Sequence, residues 1–341
     1  MRVFILLGGF VCLALLPLAA AGPTDELKSF SSFEELDFEK LVVGDIFVHT
    51  VPMSAGRILS TESCFILKAK PSAAAGIFQN WDSSHHEELK VFDHRSIQSP
   101  PSSDDFEALD LNTSGNLFHH FVRKTEKTTP NESEIYFSKK EMELVSHAMK
   151  AEGEPAQLAT AFWRKILIAR CVNFQKNGFS GIVPYESRDT FIDPAAETLR
   201  IVENIPQIAK HFHSLLSQTL LSKSAVPASL HPRYYWEMLE LNSHLDVDLG
   251  VTCSDFSDRH MQMLDGLFYA SRDIFASFTL RQLWQVKIHD QVETLVWQGD
   301  FVSTGGLEDA KGIERLGAES MMRQEVKEQI QFLREDLSNA Q

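Results

Sequence analysis

The chain has 341 residues, of which 43% are hydrophobic, and its formal net charge at pH 7 is −15. This length and apolar content allow a sizeable core, in one large domain or two modest ones. Because phosphate binding needs clustered cations, the acidic balance argues against nucleic acid as a partner and against electrostatic docking on anionic lipid.

The first 21 residues have the three parts of a secretory signal peptide. Arg2 gives a positive start, residues 3–18 are almost wholly apolar, and residues 19–21 are three alanines that fit a signal peptidase. The apolar run is shorter than the ~20 residues that span a bilayer. We therefore expect residues 1–21 to be removed and the mature protein to be secreted or periplasmic, with no stable membrane insertion; an uncleaved N-terminal anchor is the alternative.

Three cysteines follow the predicted signal peptide, namely Cys64, Cys171 and Cys253. An odd number permits at most one internal disulfide. No Cys-x-x-Cys spacing is present, which argues against a zinc knuckle or a thioredoxin-type redox site. Since a free cysteine packs like a small hydrophobe, the favoured interpretation is that these residues lie in the core.

In chain order, the first part of the mature sequence predicts a short helix at residues 33–41, two strands at 46–51 and 57–69, and a helix at 72–81. Ser31 or Ser32 can begin a capping box for the first helix. Residues 93–130 give no clear pattern, apart from a loop rich in Pro, Ser and Asp.

The middle of the sequence is predicted to be helical, as an insertion at about 138–222. Ser138 and Glu141 have the spacing of a capping box. Pro155 stands at a first-turn position and Gly178 just beyond the end of the same helix. Further helices are expected from Asp193 and from Pro206 to about residue 221.

After Pro232 the pattern changes to strands, at residues 234–241, 244–253, 261–269, 275–288 and 291–302. The short connections, with His289 and Asp290 as a hairpin turn, favour an antiparallel meander. A final long helix at about 307–337 places four apolar residues on one face: Val326, Ile330, Leu333 and Leu337. We therefore predict an α+β fold, formed by residues 22–341 as a single domain.

This order of elements resembles, at the level of the fold only, the helix-grip domains that bind lipids and other hydrophobic molecules. The resemblance covers residues 57–69 and 234–337 and implies a ligand pocket between the antiparallel sheet and the C-terminal helix. Six aromatic residues are the candidates for lining it: Tyr235, Trp236, Tyr269, Phe278, Trp284 and Trp297. The alternative interpretation is that these aromatics form the ordinary core of the domain.

The clearest alternating strand carries His244, Asp246 and Asp248 on one face. These residues form a polar face that is solvated or lines a cavity, and zinc or calcium could use such a row. No motif for a nucleotide, a catalytic metal or a serine nucleophile is present, and no cofactor is implied.

Three hypotheses remain for the function. The first is a secreted protein that binds a small apolar ligand under the last helix. The second is a secreted hydrolase whose site assembles from separate segments, with His244, Asp246 and Asp248 as its candidate residues. The third is an envelope or matrix interaction protein with an exposed apolar patch and no catalysis.

Overall fold

A computed structural model describes residues 22–187, 190–256, 261–308 and 310–339. The signal peptide at residues 1–21 lies outside the described residues and stays a prediction. The described helices are α1 (Pro23–Phe30), α2 (Phe38–Val43), α3 (Pro71–Asn80), α4 (Asn116–Lys127), α5 (Lys139–Ala148), α6 (Pro155–Asn177), α7 (Pro194–Asn204), α8 (Pro206–His211), α9 (His213–Gln218) and α10 (Ile313–Asn339). The described strands are β1 (Phe47–Thr50), β2 (Ile58–Leu67), β3 (Val91–Ile97), β4 (Tyr185–Ser187), β5 (Thr190–Ile192), β6 (Arg233–Leu241), β7 (His244–Phe256), β8 (Met261–Ala270), β9 (Ile274–Ile288) and β10 (Gln291–Thr304).

Eight of these strands form one antiparallel sheet in the order β1-β2-β10-β9-β8-β7-β6-β3. Strands β6 to β10 are neighbours in sequence and in space, so they form the predicted meander. The remaining pair, β4 and β5, forms a separate hairpin. Together with the helical middle segment and the long C-terminal helix, this sheet confirms the α+β class.

Tight turns hold two of the meander hairpins. His289 and Asp290 have φ angles of 46° and 67°, and Asn242 and Ser243 have φ angles of 50° and 62°. Two consecutive residues with positive φ are typical of the type I′ turn, whose twist matches that of the flanking strands. The predicted turn at His289 and Asp290 is therefore confirmed.

The sheet is covered on both faces. One face packs against most of the helices, including α1, α4 and α6, over a large core. The other face packs against α3 and α10 through a smaller apolar cluster. The four predicted core residues of the last helix, Val326, Ile330, Leu333 and Leu337, are all buried in this second cluster.

The sequence prediction was wrong in its details at three places. The first helix starts at Phe38, after the cap Asp37, and α1 precedes it unpredicted. Helix 206–221 is two helices, because the backbone leaves helical geometry at Phe212 (ψ 16°). The unplaced segment 93–130 contains most of β3 and all of α4. Strand β3 went unrecognised because it is a sheet edge and is mostly polar, without clear alternation.

All three described cysteines, Cys64, Cys171 and Cys253, are free and buried, as the sequence predicts. Burial raises the pKa of each thiol. Among the described helices, none is both long enough and apolar enough to cross a membrane.

A candidate functional site between the sheet and helices α3 and α10

The sheet face toward α3 and α10 has an apolar half and a polar half. In the apolar half, Met263, Leu283 and Val296 lie in neighbouring strands and contact the two helices. In the polar half, Asp265 stands opposite Thr252 on one side and Thr279 on the other. Because helices pack on apolar surface, they cover the first half closely and leave space over the second.

This space is a cavity of about 530 Å³. Its floor is the polar half of the sheet, and its walls include the end of α3, the segment 81–91 and Gln329 of α10. Eight ionisable side chains that could carry charge near neutral pH line it: Asp82, His94, Arg95, Arg233, Glu237, Asp248, Asp265 and Arg281.

His94 and Glu237, from the neighbouring strands β3 and β6, form a hydrogen-bonded pair on the cavity floor. Nδ1 of His94 lies 2.7 Å from Oε1 of Glu237, and the Ser83 hydroxyl donates to the same oxygen at 3.2 Å. Burial lowers the pKa of His94, but the hydrogen bond and the charge of Glu237 outweigh it, so the pKa is raised overall. No partner of Nε2 is present among the residues that the structure describes.

Tyr235 lies beside this pair, stacked on the His94 ring at 5.1 Å. Its hydroxyl donates to Oδ1 of Asp265 at 2.7 Å. The ring lies against Gly250, where an added Cβ would stand 2.1 Å from Cζ of Tyr235. Glycine is therefore required at this position for the ring to lie flat on the sheet. Burial raises the pKa of Asp265, although Arg281 and the tyrosine hydrogen bond oppose the shift.

Asp246 and Asp248 form a buried pair of carboxyls on β7, with 1% and 3% of their surface exposed. Asp246 accepts hydrogen bonds at 2.9 Å from the backbone N–H groups of Val247 and Ser271, and another from the Ser271 hydroxyl. Oδ1 of Asp248 and Oδ2 of Asp246 accept no hydrogen bond from a described donor. Burial and the neighbouring carboxyls of Asp246 and Glu237 raise the pKa of Asp248 well above its usual range. The charged form of Asp248 is therefore strongly disfavoured, and the two carboxyls titrate as a coupled pair.

Arg281 lies toward the other end of the cavity. Its Nε donates to the Gln298 side chain at 2.7 Å, and its guanidinium lies 4.6 Å from the centre of the Phe78 ring. Its Nη1 is buried and has no hydrogen-bond partner among the described residues. The cavity thus contains one buried donor, Nη1 of Arg281, and one buried acceptor, Oδ1 of Asp248, that no described residue pairs.

The structure distributes the residues predicted from sequence over both faces of the sheet. Tyr235 and Asp248 line the cavity, with Asp246 buried beside Asp248. His244 is half-buried at the start of β7, does not line this cavity, and its pKa is lowered by burial and by Arg272 and Lys124. The other five predicted aromatics lie in the large core on the opposite face: Trp236, Tyr269, Phe278, Trp284 and Trp297.

These five residues are on the opposite face because side chains alternate along a strand. Their polar atoms are paired within that core. The indole of Trp236 donates to the carbonyl of Asp105 at 2.8 Å, and the hydroxyl of Tyr269 donates to the carbonyl of Tyr136 at 3.1 Å. Buried aromatics whose polar atoms are paired in this way stabilise the fold as core residues.

Sequence reasoning missed His94, Glu237, Asp265 and Arg281. The signal for Glu237 was available, since Tyr235 and Glu237 alternate with the buried Trp236 and Met238 on β6. His94 lies on the strand that was not recognised, and the pairing of β3 with β6 brings it opposite Glu237. No local pattern relates residues that meet across strands so distant in sequence.

Among the described residues, no group of three or more His, Cys, Asp or Glu side chains is arranged to hold a metal ion. Comparison with known proteins found no matching protein-family model, no matching curated protein and no matching solved structure. The cavity itself is therefore the basis for proposing a function.

Proposed function

We propose that the protein binds a small polar molecule in the cavity between the sheet and helices α3 and α10. The observation that carries this proposal is the ionisable lining of the cavity, in which one buried acceptor, Oδ1 of Asp248, and one buried donor, Nη1 of Arg281, have no hydrogen-bond partner among the described residues. Buried polar groups without partners are unfavourable. They are retained where a ligand supplies the missing hydrogen bonds.

The size and position of the cavity support the same conclusion. Its volume of about 530 Å³ lies within the usual range of small-molecule sites, which is ~300–1,000 Å³. It lies under the C-terminal helix, where the sequence predicts a ligand pocket. Its ionisable walls favour a polar ligand over the apolar ligand expected from sequence, since an apolar molecule would desolvate Glu237, Asp265 and Arg281 without pairing them.

Native mass spectrometry of the secreted protein, purified without detergent, tests the proposal. We expect a bound polar small molecule. The variant Ser277→Phe, which places a ring in the cavity from β9, should lose it. The matched variant Gln285→Phe adds the same ring at an exposed position of the same strand and should keep it.

Two results would count against a polar ligand. A bound lipid that survives in wild type and disappears in Ser277→Phe would favour an apolar ligand instead. Equal adducts in Ser277→Phe and Gln285→Phe would place the bound molecule outside the cavity.

A second candidate function is an enzyme that transfers protons, because His94 is oriented as a catalytic base would be. Glu237 holds Nδ1, and Nε2 has no described partner. A carboxylate that fixes one ring nitrogen leaves the other available to accept a proton from a bound molecule. Asp248, whose raised pKa favours the protonated form, is the candidate for returning a proton to the product.

A screen of nitrophenyl esters and glycosides separates this candidate from a binding protein. An enzyme is supported if the His94→Gln variant loses turnover but still binds the co-purified molecule. We expect Glu237→Gln to lower the pKa of His94, measured by NMR titration of the ring, because it removes the main interaction that raises it. Turnover that is unchanged in His94→Gln would exclude this residue as the base.

A further inference from the structure

One corner of the cavity is built from three carboxyl groups. Glu237 on β6 and Asp248 on β7 stand directly opposite each other in register, so their side chains leave the same face of the sheet. Asp246 is two residues from Asp248 on that face, and its carboxyl lies within hydrogen-bonding reach of the Asp248 carboxyl. Like charges in directly opposed positions destabilise a sheet.

The positive charges near these three carboxyl groups do not fully balance them. His94 pairs with Glu237 alone. Asp248 faces Asp246 on its own strand and Glu237 on β6, both of which raise its pKa, and Asp273 acts in the same direction on Asp246. Arg281 interacts instead with Gln298 and with Asp265 and Asp300.

The walls next to this corner are aliphatic. Leu239 is opposite Asp246 in register, and Val91 is opposite Leu239 on the next strand. Leu267 is opposite Gly250, the next residue after Asp248 on the same face. Together with Leu89 and Ile274, these side chains line the cavity. An acidic corner next to hydrocarbon walls matches an alkyl chain that ends in a positive charge.

We propose that the ligand of this cavity carries a primary ammonium group on an aliphatic chain, and that the ammonium binds between Asp248 and Glu237. This inference rests on the proposed function and names its ligand class. An ammonium has three donors and no acceptor, so it pairs with the open oxygens of both carboxylates. A bound cation favours the charged form of Asp248, so a proton on this carboxyl passes to the buffer when the ammonium binds.

Titration calorimetry with hexylammonium chloride as the probe tests the inference, and hexan-1-ol serves as the neutral probe of the same length. We expect hexylammonium to bind more tightly than hexan-1-ol. Its measured enthalpy should differ between phosphate and Tris buffers near neutral pH, because binding releases a proton that each buffer takes up with a different enthalpy. Hexan-1-ol should release none.

Two variants locate the site. Asp248→Asn should weaken hexylammonium binding by about tenfold or more, the effect of one charge-assisted hydrogen bond, and should abolish the proton release. Asp290→Asn, in the exposed turn between β9 and β10, should leave both unchanged. Asparagine matches a protonated aspartate in size and charge, and the site disfavours the charged form of Asp248, so we expect this variant to keep the fold.

The inference is overturned if hexylammonium does not bind, if hexan-1-ol binds as tightly, or if binding is the same in Asp248→Asn. It is also overturned if hexylammonium binds without proton release in wild type. If a polar molecule without an amine co-purifies with the protein and is lost in Ser277→Phe, the proposed function is supported. Only the inference that the ligand is an amine is then rejected.

Discussion

Asp248 and Glu237 face each other across β6 and β7, an arrangement of two acids that stability alone does not favour. Groups that destabilise a fold at one location commonly belong to a site that needs them. Oδ1 of Asp248 is also buried without a hydrogen-bond donor among the described residues. Both features support the proposal of a ligand at this residue.

We expect Asp248→Asn to raise the free energy of unfolding at neutral pH by about 1 kcal/mol or more, because the folded protein disfavours the charged form of Asp248, whereas asparagine carries no charge. It should also change the pH dependence. Between the unfolded pKa of 3.8 and the raised folded pKa, the folded state holds more protons, so wild-type stability falls as pH rises. Asparagine does not titrate, so Asp248→Asn should lose this contribution to the slope of the free energy of unfolding against pH. Urea denaturation at a series of pH values measures that slope.

If Asp248→Asn is less stable than wild type and the slope of stability against pH is unchanged, Asp248 is not the group that takes up the proton on folding. Asp246→Asn is the informative companion variant. It removes the acceptor of three hydrogen bonds from Val247 and Ser271, and should destabilise the protein.

Gly250 is fixed by the close approach of the Tyr235 ring. We expect Gly250→Ala to lower the free energy of unfolding by about 1–3 kcal/mol, the usual effect of overpacking, because the methyl group would overlap the ring. Tyr235→Ser removes the ring, so the alanine should be tolerated far better in the double variant. A double-mutant cycle by chemical denaturation measures the coupling, and additive effects would contradict the close contact.

At the scale of elements, α10 contacts the cavity wall through Phe332, which stacks on the His86 ring at 4.4 Å, and through Asp336. Asp336 accepts hydrogen bonds from Nε2 of His86 at 2.9 Å and from the indole of Trp81 at 2.8 Å. Burial raises the pKa of Asp336, but these two partners outweigh it and the pKa is lowered overall. The carboxylate therefore connects the C-terminal helix to the segment 81–91 that walls the cavity.

We expect Asp336→Asn to increase amide hydrogen exchange in residues 81–91, since an asparagine cannot accept both bonds as strongly. Mass spectrometry of exchange measures this directly. Glu335→Gln, at the neighbouring exposed position, is the control and should leave exchange unchanged. Equal exchange in the two variants would mean that apolar packing alone holds this segment.

The elements differ in how well they could be predicted, and the reason is their environment. Strands β6 to β10 are long, and much of their length alternates between a core face and a partly polar face, so the period of two appears in the sequence. Helix α10 has one buried face, which gives the period of a helix. Strand β3 lies at the sheet edge with mostly polar residues, and only its pairing with β6 identifies it.

At the scale of the whole molecule, the fold does not depend on disulfides in the part of the chain that the structure describes. We expect the native protein to leave Cys64, Cys171 and Cys253 unreactive toward Ellman's reagent, because burial raises the pKa of each thiol. The denatured mature chain should titrate three thiols. Reducing agent should not change the unfolding midpoint, and a midpoint that falls on reduction would reveal a disulfide.

The sequence by itself determined the α+β class, the meander, the helical middle and the buried face of the last helix. These features follow from local periodicity, capping residues and turn residues, which act over a few positions. The predicted removal of residues 1–21 rests on the same kind of local pattern. The sequence also placed Tyr235 and Asp248 among the candidates, through aromatic content and strand alternation respectively.

Only the tertiary structure decided which candidates face a cavity. The pairing of β3 with β6 and the covering of one sheet face by α3 and α10 bring His94, Glu237, Asp265 and Arg281 together from four strands. The same alternation places Trp236 and Trp297 in the opposite core. Strand order and the choice of covered face depend on contacts between distant residues, and a single sequence contains no local signal for them.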